Sequence, residues 1–391
     1  MSRSVVHLIL AGLACMLAPV TAIGQGNLST QGFGYPPGQL SARGLATGGA
    51  VAEVDPQAPV NPATPMLWGA TVLFGQYDPE FRRVDVPGSG SSRTMTARFP
   101  GVGVSFLFGT RAAAGLNVST FLDRTWSTRF DHEQVIGTDT VTGTNVLTSE
   151  GSIADIRVAL AYAITPRISF GIGGHFFSGE NRFIRQQTFP DTVRFSGMLE
   201  SSDVSYGGMG ISAGFEARIR RSWQIGASAR TGGDLTAESG DTTLSTARVP
   251  LRYGAGVTYS GLQGALLSAR ASFEEWSSLQ SLGSENVTAF DSWDFGVGAD
   301  VTGPRIGRRV ITVRAGARHR TLPFGVRGRR VEELAFSTGF GIPISVDRAT
   351  LDFGIARATR DAGTVSTPDS PAGVDVSETA YILSFGIRVR P

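Results

Sequence analysis

The chain has 391 residues, 41% hydrophobic and only 17% charged, where ordinary soluble domains carry roughly 25% charge. Its formal net charge of +2 is too small for a nucleic-acid binder, and a single Cys leaves no disulfide framework. Every basic residue is Arg, and Gly, 51 of 391, is spread through strand-like stretches instead of being confined to turns.

In chain order, Arg3 precedes a largely apolar run from Val5 to Val20, followed by the small residues Ala22 and Gly24. That is the layout of a secretory signal peptide over residues 1–24, with cleavage expected after Gly24. The apolar run falls short of the length a membrane anchor needs. Cys15 lies inside this segment, and a lipoprotein signal would want an aliphatic residue where Gly12 stands. The chain is therefore expected to be exported. Residues 25–65 are small, Gly-rich and Pro-rich, and do not read as strands.

From residue 66 to 391 the pattern is two-residue alternation. Met209, Ile211, Ala213 and Phe215 alternate with Gly210, Ser212, Gly214 and Glu216; Trp293, Phe295, Val297 and Ala299 alternate with Asp294, Gly296, Gly298 and Asp300. Successive side chains of a strand point to opposite faces, so each stretch is a ribbon with one apolar and one polar side. Such ribbons fall near 66–77, 97–108, 112–126, 152–164, 167–178, 204–218, 222–232, 248–260, 264–276, 291–302, 308–320, 331–344, 347–359 and 378–390. Fourteen is an even number, as single-chain bacterial outer-membrane barrels require. Short joins (Thr165–Arg167, Ile219–Ser222, Ser260–Gly264, Ser345–Arg348) alternate with long polar ones at 130–151, 179–203 and 360–377, the rhythm of short periplasmic turns and long external loops.

The polar sides carry Arg157, Glu216, Arg252, Arg270, Asp294, Asp300, Arg314 and Arg318. A closed barrel puts the apolar sides against lipid, leaves these charges in the lumen and has no unpaired edge. The expected fold is thus all-β: a transmembrane antiparallel β-barrel of about 14 strands in the bacterial outer membrane, in contact with outer-membrane lipid. Trp68, Trp126, Trp223, Trp276 and Trp293 fall near ribbon ends and fit interfacial girdles. The last ribbon places Tyr381, Ser384, Gly386 and Val389 at a spacing that resembles the signal read by the barrel assembly machinery, with Pro391 where Phe is usual.

Within residues 25–65, Ser41, Arg43, Gly44, Gly48 and Gly49 are followed by Asp55-Pro56 and then by Asn61, Pro62 and Ala63. This order and spacing resembles the FadL/TodX family of outer-membrane transporters for long-chain fatty acids and other hydrophobic compounds, whose fourteen strands equal the count above. The resemblance implies that residues 25–65 fold into the lumen as a hatch, that an apolar ligand binds within the barrel, and that it leaves sideways. Polar-side positions bearing apolar residues would line the ligand's path: Leu73, Leu107, Phe121, Phe177 and Ile382. For any one of them, packing on the hatch is the alternative.

No enzyme chemistry is legible. His132 stands in a charged stretch with Asp131 and Glu133, His175 is on a ribbon's polar side, and His319 lies between Arg318 and Arg320. No HExxH occurs, no Cys remains after the export segment, and no helix follows the Gly-rich strands as a phosphate loop would demand. No cofactor or metal is expected. The function expected is passive passage of hydrophobic small molecules. A rival reading makes the barrel a partner or shuttle for secreted proteins, using its long loops, and a further one a polar-solute porin.

Overall fold

The computed structural model describes residues 34–86, 90–136, 138–191, 194–282, 288–307, 309–325, 328–345, 348–367 and 370–391. The expected export segment, residues 1–24, lies outside them, as do residues 25–33.

Among the described residues one 16-stranded antiparallel sheet contains β1 (Val72–Val86), β2 (Gly90–Phe108), β3 (Ala112–Asp123), β4 (Trp126–Ile136), β5 (Asp139–Thr165), β6 (Ile168–Thr188), β7 (Met198–Ile219) and β8 (Trp223–Ser239). It continues through β9 (Thr242–Arg248), β10 (Arg252–Leu262), β11 (Ala265–Glu274), β12 (Ser292–Ile306), β13 (Arg309–Thr321), β14 (Glu332–Ser345), β15 (Ala349–Thr367) and β16 (Ser370–Val389). β3 and β4 lie end to end along β5, and β9 and β10 end to end along β8. Each of these pairs is one position in the ring, so the barrel has 14 strands, closed by β1 on β16 and β10 on β8. No helix among the described residues is long and apolar enough to cross a membrane.

The alternation resolves as lipid physics requires. Val102, Leu160, Ile172, Ile211 and Phe336 are more than half exposed on the outer face. Arg157, Glu216, Arg252, Arg270, Asp294, Asp300, Arg314 and Arg318 are all buried within the lumen. In water so continuous an apolar band would drive association; against hydrocarbon it is matched to its solvent.

Three expectations fail. The stretches 130–151, 179–203 and 360–377 are not mainly loops: β4 pairs with β5 out to Ile136↔Asp139, β6 with β7 out to Gln187↔Met198, and β15 with β16 out to Thr367↔Ser370. β6 has 21 residues, about twice the 9–11 that cross a bilayer, so its outer half extends beyond the length a membrane spans. The first strand begins at Val72 and not 66, because Thr64–Trp68 forms a 3-10 helix with Pro65 in its first turn. And the tryptophan girdle is only partial. Trp223 and Trp293 are exposed on the outer face, whereas Trp68 and Trp276 are buried inside.

Candidate functional site

The described part of the N-terminal segment, residues 34–68, packs against inward-facing residues of the strands. A short helix, α1 (Ala42–Ala46), is capped by Ser41, whose Oγ accepts from the Gly44 N–H at 2.8 Å and donates to Asp55 at 2.5 Å. After α1 the chain reverses through Gly48 and Gly49 at φ 62° and 79°, backbone that L side chains avoid. Asp55 also accepts from the Gln57 N–H at 3.1 Å. Asn61 donates to the Glu53 carbonyl at 2.8 Å and to the Phe215 carbonyl of β7 at 3.0 Å, and accepts from the Ala63 N–H at 3.0 Å. Arg43 reaches Asp300 on β12 at 2.7 Å. All the motif residues singled out between Ser41 and Ala63 thus sit inside the barrel, and only Arg43 and Pro56 among them are partly exposed.

The wall is shaped to receive this segment. A Cβ at Gly171 would strike the Pro62 carbonyl, at Gly226 the Glu53 carbonyl, and at Gly316 the backbone of Thr47 and Gly48. Part of the glycine excess within strands has its physical cause here: at these positions the segment's backbone approaches the wall more closely than any side chain permits.

Charges then fix it. Glu53 is wholly buried, bonded to Arg252, accepting from Ser228 at 2.7 Å and lying 3.5 Å from Arg270. Tyr35, at the other end of the segment, lies beneath four guanidinium groups, Arg82, Arg98, Arg320 and Arg360, each 4.6–5.2 Å from its ring. Glu80, Asp123, Glu333 and Glu378 balance those four charges. The Tyr35 hydroxyl accepts from Arg320 and from Arg360 (2.8 Å) and donates to Glu333 at 3.2 Å. Removing that hydroxyl (Tyr35→Phe) is expected to cost about 1–3 kcal/mol, the toll of leaving buried donors unmet. A lower temperature for loss of the compact band on unheated gels reports it.

Alongside these charges sits an apolar cluster. Phe121 and Phe177 meet at 4.8 Å, Phe121 stacks on Trp276 at 5.2 Å, and Phe324 stands edge-on to Trp276 at 6.4 Å. Leu122, Ile153, Leu235, Val249 and Leu279 complete it, all buried. Its polar border is Arg230, whose guanidinium covers Phe121 at 5.2 Å and Phe177 at 5.7 Å, and His175, stacked on Phe177. His175 bonds Asp155 at 2.8 Å and Ser212 at 2.9 Å.

Of the five positions expected to line a ligand path, the structure brings together Phe121 and Phe177. Leu73 does not belong: it is half exposed on the outer face, because Val72 and Phe74 turn inward onto Trp68. Leu107 and Ile382 share the inner face of their strands with Ser105 and Ser384 but stand apart from the cluster. Trp276 and Leu279, which the strand reading missed, come from the 3-10 helix Trp276–Leu282. Their signal was a three-residue apolar spacing, Trp276, Leu279 and Leu282, inside a polar connection. On the terminal strand Tyr381 faces out, Ser384 is buried, and a Cβ at Gly386 would crowd Ala42 at 2.9 Å. No group of three or more His, Cys, Asp or Glu among the described residues could hold a metal ion.

Solved structures of the same shape exist. A Pseudomonas aeruginosa FadL homologue superimposes with a TM-score of 0.65 at 14% identity, covering 91% of this chain and 99% of its own. The Ralstonia pickettii toluene transporter TbuX gives 0.58 at 16% identity, covering 90% and 98%. The fold is that of the FadL-type barrels. The Pseudomonas putida toluene transporter TodX (TM-score 0.54, 12% identity, 90% and 98% covered) shares it as well. No family model matches the chain, and no curated protein matches it in sequence.

Proposed function

We propose that the chain is an outer-membrane channel that passes hydrophobic small molecules, long-chain acyl compounds or hydrocarbons, by passive diffusion, with residues 25–65 as its hatch. The observation that carries this reading is the Phe121–Phe177–Trp276 cluster, an apolar patch set in an otherwise charged lumen. A greasy molecule gains roughly 25 cal/mol for each Å² of apolar surface withdrawn from water, and this patch offers that exchange where a water-filled porin would not. The shared fold with two toluene transporters and a FadL homologue supports the same class. The export segment delivers the chain, and the terminal strand would be read by the assembly machinery.

The test is saturable binding of a fluorescent long-chain acyl probe to detergent-purified protein. Phe121→Ser with Phe177→Ser is expected to weaken binding about ten- to a hundredfold, the loss of one to two buried aromatic contacts. No binding by the intact protein, with acyl, aromatic and terpenoid competitors alike inert, would defeat the proposal and leave surface interaction with secreted proteins as the reading to pursue.

A further inference from the structure

The short-turn end of the lumen holds a cavity of about 380 Å³, between the underside of the N-terminal segment and the ends of β7, β8, β12, β13, β15 and β16. Its wall carries five arginines, Arg43, Arg218, Arg314, Arg388 and Arg390, against three aspartates, Asp55, Asp300 and Asp352. Every aspartate is engaged: Asp55 by Ser41, Asp300 by Arg43, and Asp352 by Arg314 at 2.7 Å.

That leaves two cations without a carboxylate among the described residues. Arg388 lies over the Trp68 ring at 5.3 Å and donates to Thr350 at 2.6 Å. Arg390 donates weakly to the Trp68 carbonyl at 3.4 Å, and its Nε is buried with no acceptor. The indole Nε1 of Trp68, itself buried, has no acceptor either. Donors are therefore in excess around the cavity, while Asp300 Oδ1 and Asp352 Oδ1, which make no hydrogen bond, are ion-paired to Arg314. A neighbouring groove sharing Arg218 and Gln224 adds Arg167, Arg220 and Arg221, so the approach is basic throughout.

We propose that this cavity binds an oxyanion, a carboxylate or a phosphate, on Arg388, Arg390 and the Trp68 indole N–H. A guanidinium presents paired donors that match two oxygens of such a group, and a partly buried site strengthens the bond. The ligand is either a soluble anion or the head of an anionic lipid. This site is independent of the apolar cluster and of the transport reading.

Titration calorimetry on detergent-purified full-length protein, in chloride buffer, would use three probes: inorganic phosphate, hexanoate and dihexanoyl phosphatidic acid. Saturable binding with Arg388→Gln plus Arg390→Gln weakening it about ten- to a hundredfold is expected, as for hydrogen bonds to charged groups. Trp68→Phe, which keeps an aromatic ring but removes the N–H together with the five-membered half of the indole, is expected to weaken it about three- to tenfold. It also serves if the double variant does not refold. Binding of phosphate or hexanoate assigns a soluble anion; binding of the lipid alone assigns a headgroup. No saturable binding of any probe, or binding indifferent to these substitutions in protein that keeps its heat-dependent gel mobility, overturns the proposal.

Discussion

Leucine at Gly316 is expected to open the barrel to ions. Gly316 lies on the inner face of β13, paired to Gly298 of β12 and Ser337 of β14, and a Cβ there would overlap the backbone of Thr47 and Gly48. The strand cannot retreat, since it is laddered on both sides, so the N-terminal segment must yield. What holds the segment at this point is slight: the Gly48 N–H to Ser337 at 3.0 Å, and Ser337 to the Ala46 carbonyl at 3.2 Å. Overpacking by even a methylene or two costs about 1–3 kcal/mol, as much as two such bonds return, and leucine adds four carbons. Planar-bilayer recordings should therefore show a steady conductance in Gly316→Leu that the unaltered protein lacks. Gly174→Leu is the control. It points outward into open space and should conduct no more than the parent. Equal, low conductance in both variants would mean that a side chain at Gly316 does not unseat the segment, and equal, high conductance in the parent and both variants would mean that the segment does not close the lumen.

What the sequence revealed, and what it hid, follows from where each residue meets lipid. Ring strands are legible because hydrocarbon on one side and a charged lumen on the other force alternation, as at Met209 to Glu216. Beyond the bilayer that contrast vanishes. The outer halves of β5, β6 and β7 are rich in Ser, Thr and Gln with no apolar face to mark them, and so read as loops. Trp68 and Trp276 were misplaced for a related reason: each sits in a short 3-10 turn, where strand parity carries no information. Leu73 failed because Val72, Leu73 and Phe74 are all apolar, so alternation does not say which face turns inward; Val72 and Phe74 do, onto Trp68. Of the apolar cluster only Phe121 and Phe177 were visible, as out-of-phase residues. Its other members come from strand positions such as Leu122, Ile153 and Leu235 and from connections such as Trp276 and Leu279, brought together only by the closed barrel. The glycines are the instructive case. Their number was plain, but their cause, a backbone seated against the wall at Gly171, Gly226 and Gly316, exists only in three dimensions.

Glu53→Ala is expected to be the most destabilising single change in the N-terminal segment. Removing one partner of a buried ion pair costs about 3–5 kcal/mol when it strands the other charge. Here the figure falls near the lower end, because Arg252 keeps Glu274 at 3.2 Å and Arg270 keeps Asp294 at 3.0 Å. The effect depends on pH with a definite sign. Burial alone would push the Glu53 carboxyl up, but Arg252, Arg270 and the Ser228 hydroxyl together hold it below the ordinary glutamate range. A depressed carboxyl stabilises the fold at pH above its unfolded value, about 4.3, and loses that contribution as pH falls through the lower folded one. Melting temperatures of the parent and Glu53→Ala should thus differ by a constant amount between about pH 5 and 8 and converge on further acidification below about 4.3. A gap that persists unchanged into acid would mean that shape, and not charge, is what Glu53 contributes. The two substitutions also separate sealing from anchoring. Gly316→Leu displaces the segment sterically while leaving every ion pair chemically intact, whereas Glu53→Ala removes its anchor without obstructing its seat. If Glu53→Ala lowers the melting temperature but passes no ions, close packing against the glycines suffices to keep the lumen shut, and the buried charges act on stability alone.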